Sequence, residues 1–310
     1  MRPRYRTSAK HIERALLAFD KHNRPMPGVH NPKARNSLLE QLIDSVHRVS
    51  YPVVLCSRTL SSRRTNPADE LFDPLMAAIL QHRQGNIEEA FWLIFLFVHF
   101  GKHRMAGWRY AREVYGRLGQ GPSWDWNNTS GNPKVFRQWL NSNRATLERP
   151  GIPRGFGNHR KYVSLDAITS RGTGAAVDTY VAWIGPPRTH SQLFEQAIVQ
   201  ASGDPVAAFD HLYQSMATVA SFGRLARFDL LCMVGQLGLA KIKPGSTYLQ
   251  GSTGPLHGAR RLFGVPSMGP SVLEIWLREL DTAIGVGSQA LEDALCNWHK
   301  SPLVFKPFRP

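Results

Sequence analysis

Apolar residues along this chain recur mostly at intervals of three and four positions, which is the spacing of helices that bury one face. Alternation of apolar and polar positions, which indicates strands, is scarce. Loops rich in Gly, Pro and Asn separate the helical segments at 119–133, 150–158, 185–189 and 243–255, and no linker or internal repeat interrupts them. The pattern predicts a compact, multi-helix, all-α protein of about a dozen helices.

Local signals predict where several of these helices begin and end. The pair Asn31–Pro32 is typical of a helix start, and Asn86 followed three positions later by Glu89 predicts a capping box. The run Ala90–Val98 is apolar on every face and predicts a central buried helix, but it is too short to cross a bilayer. Helix stops are predicted at three glycines: Gly85, Gly101 and Gly119.

The positive charge is concentrated in two parts of the chain. The 310 residues carry a formal net charge of +15. Residues 1–64 contain 13 basic and 4 acidic residues, and residues 99–161 contain 12 and 3. Such blocks favour a polyanionic partner, nucleic acid above all, over a basic surface without a specific ligand, although charge alone leaves both open.

Segments and motifs that the sequence does not show argue against several classes of function and location. The sequence shows no membrane span, secretory signal or phosphate-binding P-loop, which predicts a cytoplasmic protein without an ATP-driven mechanism. Cys56, Cys232 and Cys296 are widely separated and are predicted to be reduced core residues. His99 and His103 have a spacing that can bind zinc, but without a companion ligand nearby they are predicted to be solvated or capping residues, and no metal is expected.

The segment 151–184 carries the first functional motif. Gly155 and Gly157 predict a tight hairpin that opens a helix and offers backbone N–H groups to a phosphate, and Asp178 follows within the sequence VDTYV. This arrangement resembles the helix-hairpin-helix DNA glycosylases, which implies a DNA-gripping hairpin and a catalytic Asp178. Tyr180 replaces the usual histidine, and His159 stands where some members carry a lysine. A glycine turn followed by a helix-capping aspartate is the alternative interpretation.

A second resemblance covers about residues 90–264. The blocks HFGKHRMAGWRYA, FGNHRKY, TGAAVDTYV, SFGRLARFDLLCMVGQLGL and PGSTYLQGSTGPLHGARRLFG are similar to the α-glutamyl/putrescinyl thymine pyrophosphorylases, phage-type amino acid:DNA transferases. This resemblance implies a two-lobed glycosylase-like fold of 1–310, with basic N-terminal helices in 1–64, a catalytic core in 65–264 and C-terminal helices in 265–310. If phage-encoded, the protein would act in the host cytoplasm.

The resemblance also implies a reaction. Pyrophosphate on 5-(pyrophosphoryloxymethyl)uracil in double-stranded DNA would be replaced by the nitrogen of an amino acid such as glycine or glutamate, or of a polyamine, with the base flipped out. That co-substrate apart, no cofactor is expected. A helix-hairpin-helix glycosylase and a non-catalytic DNA-binding protein are the alternatives.

Candidate site residues follow from the needs of this chemistry. Asp178 is the first choice for the base and Asp229 the second, with His159 a further catalytic candidate. Arg224 and Arg227 share a helix face without an acidic residue three or four positions away, so both are expected to be available to an anion. The candidates for binding pyrophosphate or substrate are Lys102, His103, Arg109, Arg160, Lys161, Arg224, Arg227 and Tyr180. The candidates for binding DNA are Gly155, Gly157, Arg260 and Arg261.

Overall fold

The computed structural model describes residues 6–151, 155–157, 160 and 162–308 and confirms the all-α prediction. Its α-helices are α1 (Arg6–His22), α2 (Pro32–Val49), α3 (Tyr51–Cys56), α4 (Pro74–Arg83), α5 (Ile87–Phe100), α6 (Arg109–Tyr115), α7 (Trp126–Gly131), α8 (Pro133–Leu147), α9 (Thr173–Ile184), α10 (His190–Gln200), α11 (Pro205–Ser215), α12 (Arg224–Gln236), α13 (Gly254–Phe263), α14 (Pro270–Ile284) and α15 (Ser288–Trp298). Among the described residues, extended pairing is limited to two isolated bridges, His103–Gly107 and Ser164–Gly172. None of the described helices combines the length and apolarity that crossing a membrane requires.

The chain divides into two compact units, and one of them joins the two ends of the sequence. This terminal unit contains the described residues 6–51 and 244–308, and the central unit contains 52–243. The division after residues 64 and 264, which the family resemblance implies, stays a prediction. The N-terminal and C-terminal helices fall in one unit because their apolar faces pack on each other: α2 lies against α15, and α1 against α14.

A single apolar core holds the terminal unit together. Leu16 and Leu42 from the N-terminal helices, and Leu262, Leu277 and Leu295 from the C-terminal helices, are all almost completely buried. Burial of such side chains contributes about 1.5–3 kcal/mol each. The five helices therefore stabilise one another despite the roughly two hundred residues that separate them along the chain.

The central unit is built around α5, as its continuous apolar run predicts. Trp92 and Phe95 are fully buried, and the ring of Tyr180 on α9 lies 4.1 Å from that of Phe95 between centroids. Phe222, just before α12, also stacks on Phe95 at 4.9 Å. Helices α4 and α12 both pack against α5. A helix surrounded on all faces needs apolar residues at every position, which explains the unbroken run.

Both predicted helix starts are confirmed, but only the first is capped as predicted. The side chain of Asn31 accepts a hydrogen bond from the Lys33 N–H at 2.8 Å, and Pro32 is the first residue of α2. Asn86 does precede α5, but its side chain bonds Gln81 instead of capping the helix. The predicted capping box is therefore wrong.

Glu89 has a different partner set from the one that a capping box requires. Its carboxylate accepts a hydrogen bond from the Tyr115 hydroxyl at 2.8 Å and from the Trp126 N–H at 2.7 Å. It thereby joins α5 to α6 and α7. The sequence spacing predicts a local contact for Glu89. Its carboxylate bonds the two long-range donors instead, because an unpaired carboxylate would be costly where Glu89 is buried.

The three cysteines are reduced, as predicted. Cys232 lies in the core, whereas Cys56 and Cys296 are only half-buried.

The start of α9 is fixed by close backbone packing. A Cβ on Gly172 would lie 2.1 Å from the Asp166 carbonyl oxygen, and one on Gly174 would lie 2.4 Å from that of Ala167. The carbonyls of Ser164 and Asp166 accept hydrogen bonds from the Thr173 and Gly174 N–H groups at 2.9 and 3.0 Å. The glycines of the sequence RGTGAAVD are thus needed so that the preceding loop can lie directly on the helix.

Gly174→Ala is expected to destabilise the protein by about 1–3 kcal/mol, because the added methyl group meets a backbone carbonyl that cannot rotate away. Gly223→Ala is the matched control, since a Cβ there has no heavy atom within 4 Å. Urea denaturation of the two variants measures the difference. Equal losses of stability would contradict the packing argument.

Glu89 is expected to lower stability as pH rises. Burial raises the pKa of its carboxyl to about 7, despite the hydrogen bonds from Trp126 and Tyr115 that lower it. Between its ordinary value of 4.5 and about 7, the folded protein keeps a proton that the unfolded chain releases. The free energy of unfolding therefore falls across this window, by at most ~3 kcal/mol.

Thermal unfolding of the wild type and Glu89→Gln from pH 5 to pH 8 tests this effect. Relative to the variant, the wild type should lose stability steadily as pH rises. Buried His99, whose lowered pKa gives the opposite trend, is common to both proteins and cancels in the difference. A pH-independent difference would refute the expectation.

Candidate active site

The end of α5 lies directly against the Gly155–Gly157 segment. Gly101, with φ of +61°, ends the helix, and a Cβ on Gly157 would lie 2.9 Å from the Gly101 carbonyl carbon. The Gly157 N–H donates to the Phe100 carbonyl at 2.8 Å. The hairpin prediction therefore needs correction: this N–H already has a partner, and no α-helix follows among the described residues until Thr173.

Arg160 connects this junction to α12. It is only 8% exposed, and its Nε donates to the Val98 carbonyl at 2.6 Å. Its Nη2 lies 3.0 Å from Oδ2 of Asp229, whose side chain is 36% exposed. A buried guanidinium needs such partners, since an unpaired charge in the interior is strongly unfavourable. Arg160 therefore orients Asp229 while leaving that carboxylate partly open to solvent.

His99 lies close to Arg160. It is 1% exposed, so the prediction of a solvated or capping role is wrong for this residue. Its Nε2 bonds the Thr173 hydroxyl at 3.0 Å, and that hydroxyl donates to the Ser164 carbonyl. The ring Nε2 must then carry the proton. Burial, with the nearby charge of Arg160, lowers the pKa of His99 to about 3, so the imidazole is neutral.

Four of the five sequence blocks that carry the family resemblance meet here. We call this group the Arg160 cluster, and its residues are Val98–Lys102, Phe156, Gly157, Arg160, Thr173, Phe222 and Asp229. Phe156 stacks on Phe100 at 5.5 Å, and Phe222 lies parallel to His99 at 6.2 Å. The fifth block lies in the terminal unit.

Lys102 and His103 lie on the turn that follows α5. Lys102 is exposed, and the half-buried His103 pairs through its backbone with Gly107. Nδ1 of His103 accepts from the Ala106 N–H at 3.0 Å within this turn. A Cβ on Gly155 would lie 3.3 Å from Nε2, so the imidazole borders the glycine segment.

Asp178 has a partner that sequence reasoning missed. Arg137 on α8 donates from Nη1 to Asp178 Oδ2 at 2.9 Å, and also to the carbonyls of Ala167 and Ile168. Both charged side chains are about one-third exposed. The arginine lies 41 residues before the aspartate, and no local sequence signal connects them. Arg137 thus fixes the carboxylate and the loop before α9 together.

Three of the arginines predicted to bind pyrophosphate or substrate contact other protein groups in the structure. Arg109 is 7% exposed and bonds Glu113 at 3.0 Å and the Leu147 carbonyl at 2.7 Å. Arg227 was expected to be available to an anion, but it donates to the Tyr213 carbonyl at 2.9 Å and lies over that ring. Arg224 lies over Phe228. Glu113 and Phe228 lie four positions from Arg109 and Arg224 on the same helices. The Leu147 and Tyr213 carbonyls are distant partners that helix spacing does not reveal.

Tyr180 is also placed differently from its predicted role in binding substrate. It is 1% exposed, and its hydroxyl bonds Nε2 of the buried His190 at 2.8 Å. Nδ1 of His190 bonds Glu88, which also accepts from the Ser191 N–H. Although burial alone would raise it, the bonds from His190 and Ser191 lower the pKa of Glu88 to about 2. The tyrosine thus belongs to a buried network that joins α5, α9 and α10.

The remaining predicted residues lie elsewhere. His159 and Lys161 fall outside the described residues. Arg260 and Arg261 are on α13, in the terminal unit. No group of three or more His, Cys, Asp or Glu that could hold a metal ion occurs among the residues that the structure describes.

Replacing Arg160 is expected to cost more stability than neutralising its partner Asp229. Arg160→Ala should reduce the free energy of unfolding by roughly 2–3 kcal/mol, discounted for the partial exposure of Asp229, because the Val98 carbonyl and the carboxylate both lose a donor. Asp229→Asn keeps an acceptor for Nη2 but leaves the buried guanidinium without its counter-charge, so it should cost about 1–2 kcal/mol. Urea denaturation compares the two, and a larger loss for Asp229→Asn would overturn this interpretation.

Comparison with known proteins identifies the family. No curated protein and no solved structure matches the chain. A family model described as alpha-glutamyl/putrescinyl thymine pyrophosphorylase clade 3 matches residues 33–310, which is most of the chain and includes the whole Arg160 cluster. That description names a pyrophosphorylase-type enzyme acting on a modified thymine. The chain therefore belongs to the alpha-glutamyl/putrescinyl thymine pyrophosphorylase family, in its clade 3.

Proposed function

We propose that this protein replaces the pyrophosphate of 5-(pyrophosphoryloxymethyl)uracil in double-stranded DNA with the nitrogen of an amino acid, such as glycine or glutamate, or of a polyamine. The observation that carries the proposal is the meeting of four family-like sequence blocks in the Arg160 cluster, where Arg160 pairs with Asp229. Membership of the pyrophosphorylase family supports the same chemistry. The protein would act in the cytoplasm, in that of the host if it is phage-encoded.

In the proposed reaction the bond between the 5-methylene carbon and the pyrophosphate oxygen breaks, and the oxygen keeps the electron pair. The amine nitrogen forms a new bond to the same carbon. The nitrogen must lose a proton, either before or after attack, and a carboxylate is a suitable acceptor. Asp229 is favoured for this role, because Arg160 holds it in place and about a third of its side chain remains accessible.

Pyrophosphate leaves with several negative charges, so cations near the methylene carbon would lower the barrier. Among the described residues, Lys102 and His103 are the candidates for binding the leaving pyrophosphate. Their turn directly follows Phe100, whose carbonyl accepts the hydrogen bond from Gly157. His159 and Lys161 are further candidates from the sequence. Arg160 is assigned to positioning Asp229, because its guanidinium already bonds the Val98 carbonyl as well.

DNA binding would draw on the basic segments 1–64 and 99–161. A substituent at C5 of uracil projects into the major groove, but enclosing the reacting centre favours a base that is flipped out of the duplex. Asp178, held by Arg137 on the face of α9 next to α8, is a second carboxylate that could bind the substrate.

The proposal is tested with a duplex that contains the pyrophosphorylated base, incubated with glycine, glutamate, ornithine or putrescine. Release of pyrophosphate together with a base that carries the added amino acid or polyamine on its 5-methylene carbon, detected by mass spectrometry of the nucleosides, is the expected result. Asp229→Asn should reduce turnover at least about a hundredfold by removing the base while DNA affinity stays within twofold. Glu195→Gln, an exposed carboxylate on α10, is the matched control and should be close to wild type.

Two other outcomes would replace the proposal. Free base and an abasic site, with loss of activity in Asp178→Asn, would instead identify a glycosylase. DNA binding without any change to the base, unaffected by either aspartate substitution, would identify a non-catalytic DNA-binding protein.

A further inference from the structure

A second concentration of positive charge lies on α13 in the terminal unit. His257, Arg260 and Arg261 are three and four positions apart, so they share one face of the helix. They belong to the family-like block that does not contribute to the Arg160 cluster.

Close packing of two helices brings a fourth basic residue to this face. A Cβ on Gly258 would lie 2.4 Å from the Leu295 carbonyl oxygen, and one on Gly254 would lie 2.6 Å from Sγ of Cys296. These glycines let α13 rest directly on α15, whose C-terminal cap is His299. The rings of His257 and His299 are consequently 5.8 Å apart between centroids.

The four basic side chains border a cleft of about 480 Å³. Its lining residues are His257, Arg260, Arg261, Gly264, Pro266 and His299. No acidic side chain appears in this described lining. The volume is enough for one or two phosphate groups with water, since small-ligand sites usually begin at ~300 Å³.

Acidic residues of the terminal unit have partners away from this cleft. Asp293 pairs with Arg48, Glu279 with Arg24, and Asp20 with His30. Glu274 accepts a hydrogen bond from the Leu249 N–H, and Asp281 from that of Gly287. The positive charge of the cleft is therefore not neutralised by these carboxylates.

The arginines are arranged to offer donors. Arg260 donates from Nε to the Met268 carbonyl at 3.0 Å, which orients the guanidinium and leaves its Nη groups for a further acceptor. Arg261 is exposed, and its side chain bonds no other side chain in the described structure. Guanidinium groups match the geometry of phosphate oxygens.

Two helix C-termini also reach the cleft, and their partial negative charge opposes an anion. Each contributes roughly −0.5 of a charge, whereas the two arginines contribute +2, so about +1 remains before either imidazole is protonated. The pKa of His299 is lowered by its burial and then by the positive charges of Lys300, His257 and Arg261. This agrees with a site where positive charge exceeds negative.

We propose that the cleft formed by His257, Arg260, Arg261 and His299 is a phosphate-binding site. Its ligand is a phosphate group, carried either by free pyrophosphate or by the backbone of duplex DNA. Phosphate binding in this cleft does not require the proposed transferase reaction, because no bond is made or broken there.

The histidine C–H signals of the full chain, assigned with His257→Gln and His299→Gln, report binding at the cleft. Inorganic pyrophosphate is titrated in one arm and an unmodified DNA duplex in the other. Arg261→Gln should raise the dissociation constant of the ligand that binds about tenfold or more, because a charged donor is lost. Arg278→Gln, an exposed arginine on α14, is the matched control and should stay within twofold of wild type.

A response to pyrophosphate identifies a free anion as the ligand, and a response to DNA alone identifies a backbone contact. The proposal is overturned if neither ligand shifts the His257 and His299 signals. It is also overturned if Arg261→Gln and Arg278→Gln weaken binding equally, since the effect would then be one of net charge. Activity is not measured, so failure here leaves the transferase proposal standing.

Discussion

The central unit depends on the burial of one guanidinium group. Arg160 is nearly inaccessible to water, and its charge is tolerated because the Val98 carbonyl and the Asp229 carboxylate receive its hydrogen bonds. These bonds fix three distant parts of the chain relative to one another: the end of α5, the segment after Gly157 and the middle of α12. The same contact that satisfies the buried charge therefore also positions the carboxylate to which we assign the proton transfer.

Glycine residues set the distances within this arrangement. Gly157 approaches the backbone at Gly101 so closely that a side chain would collide with it. Gly172 and Gly174 do the same where the preceding loop lies on α9. In sequence Gly155 and Gly157 predict a phosphate-binding hairpin, but the Gly157 N–H donates to the Phe100 carbonyl. The physical role of the closely packed glycines in the described structure is to permit close contact between segments.

Many basic residues have structural rather than surface roles. Arg109, Arg137 and Arg160 each bond both a carboxylate and a backbone carbonyl. Such arginines link helices within the central unit, so the net charge of +15 overstates what a polyanion would meet. The exposed Lys102 and the cleft on α13 are places where positive charge remains accessible.

The sequence by itself determined the fold class, the start of α2 at Asn31, the buried central helix and the family, because each follows from local spacing or from a motif read in order. It also selected Arg160 and Asp229, but as independent candidates and not as a pair. The partners of Glu89, Asp178 and Arg227, and the joining of both chain ends in one unit, were decided only by the tertiary structure. The physical reason is that hydrogen-bond donors and acceptors are matched in three dimensions, and a partner 41 residues away leaves no trace in helical periodicity.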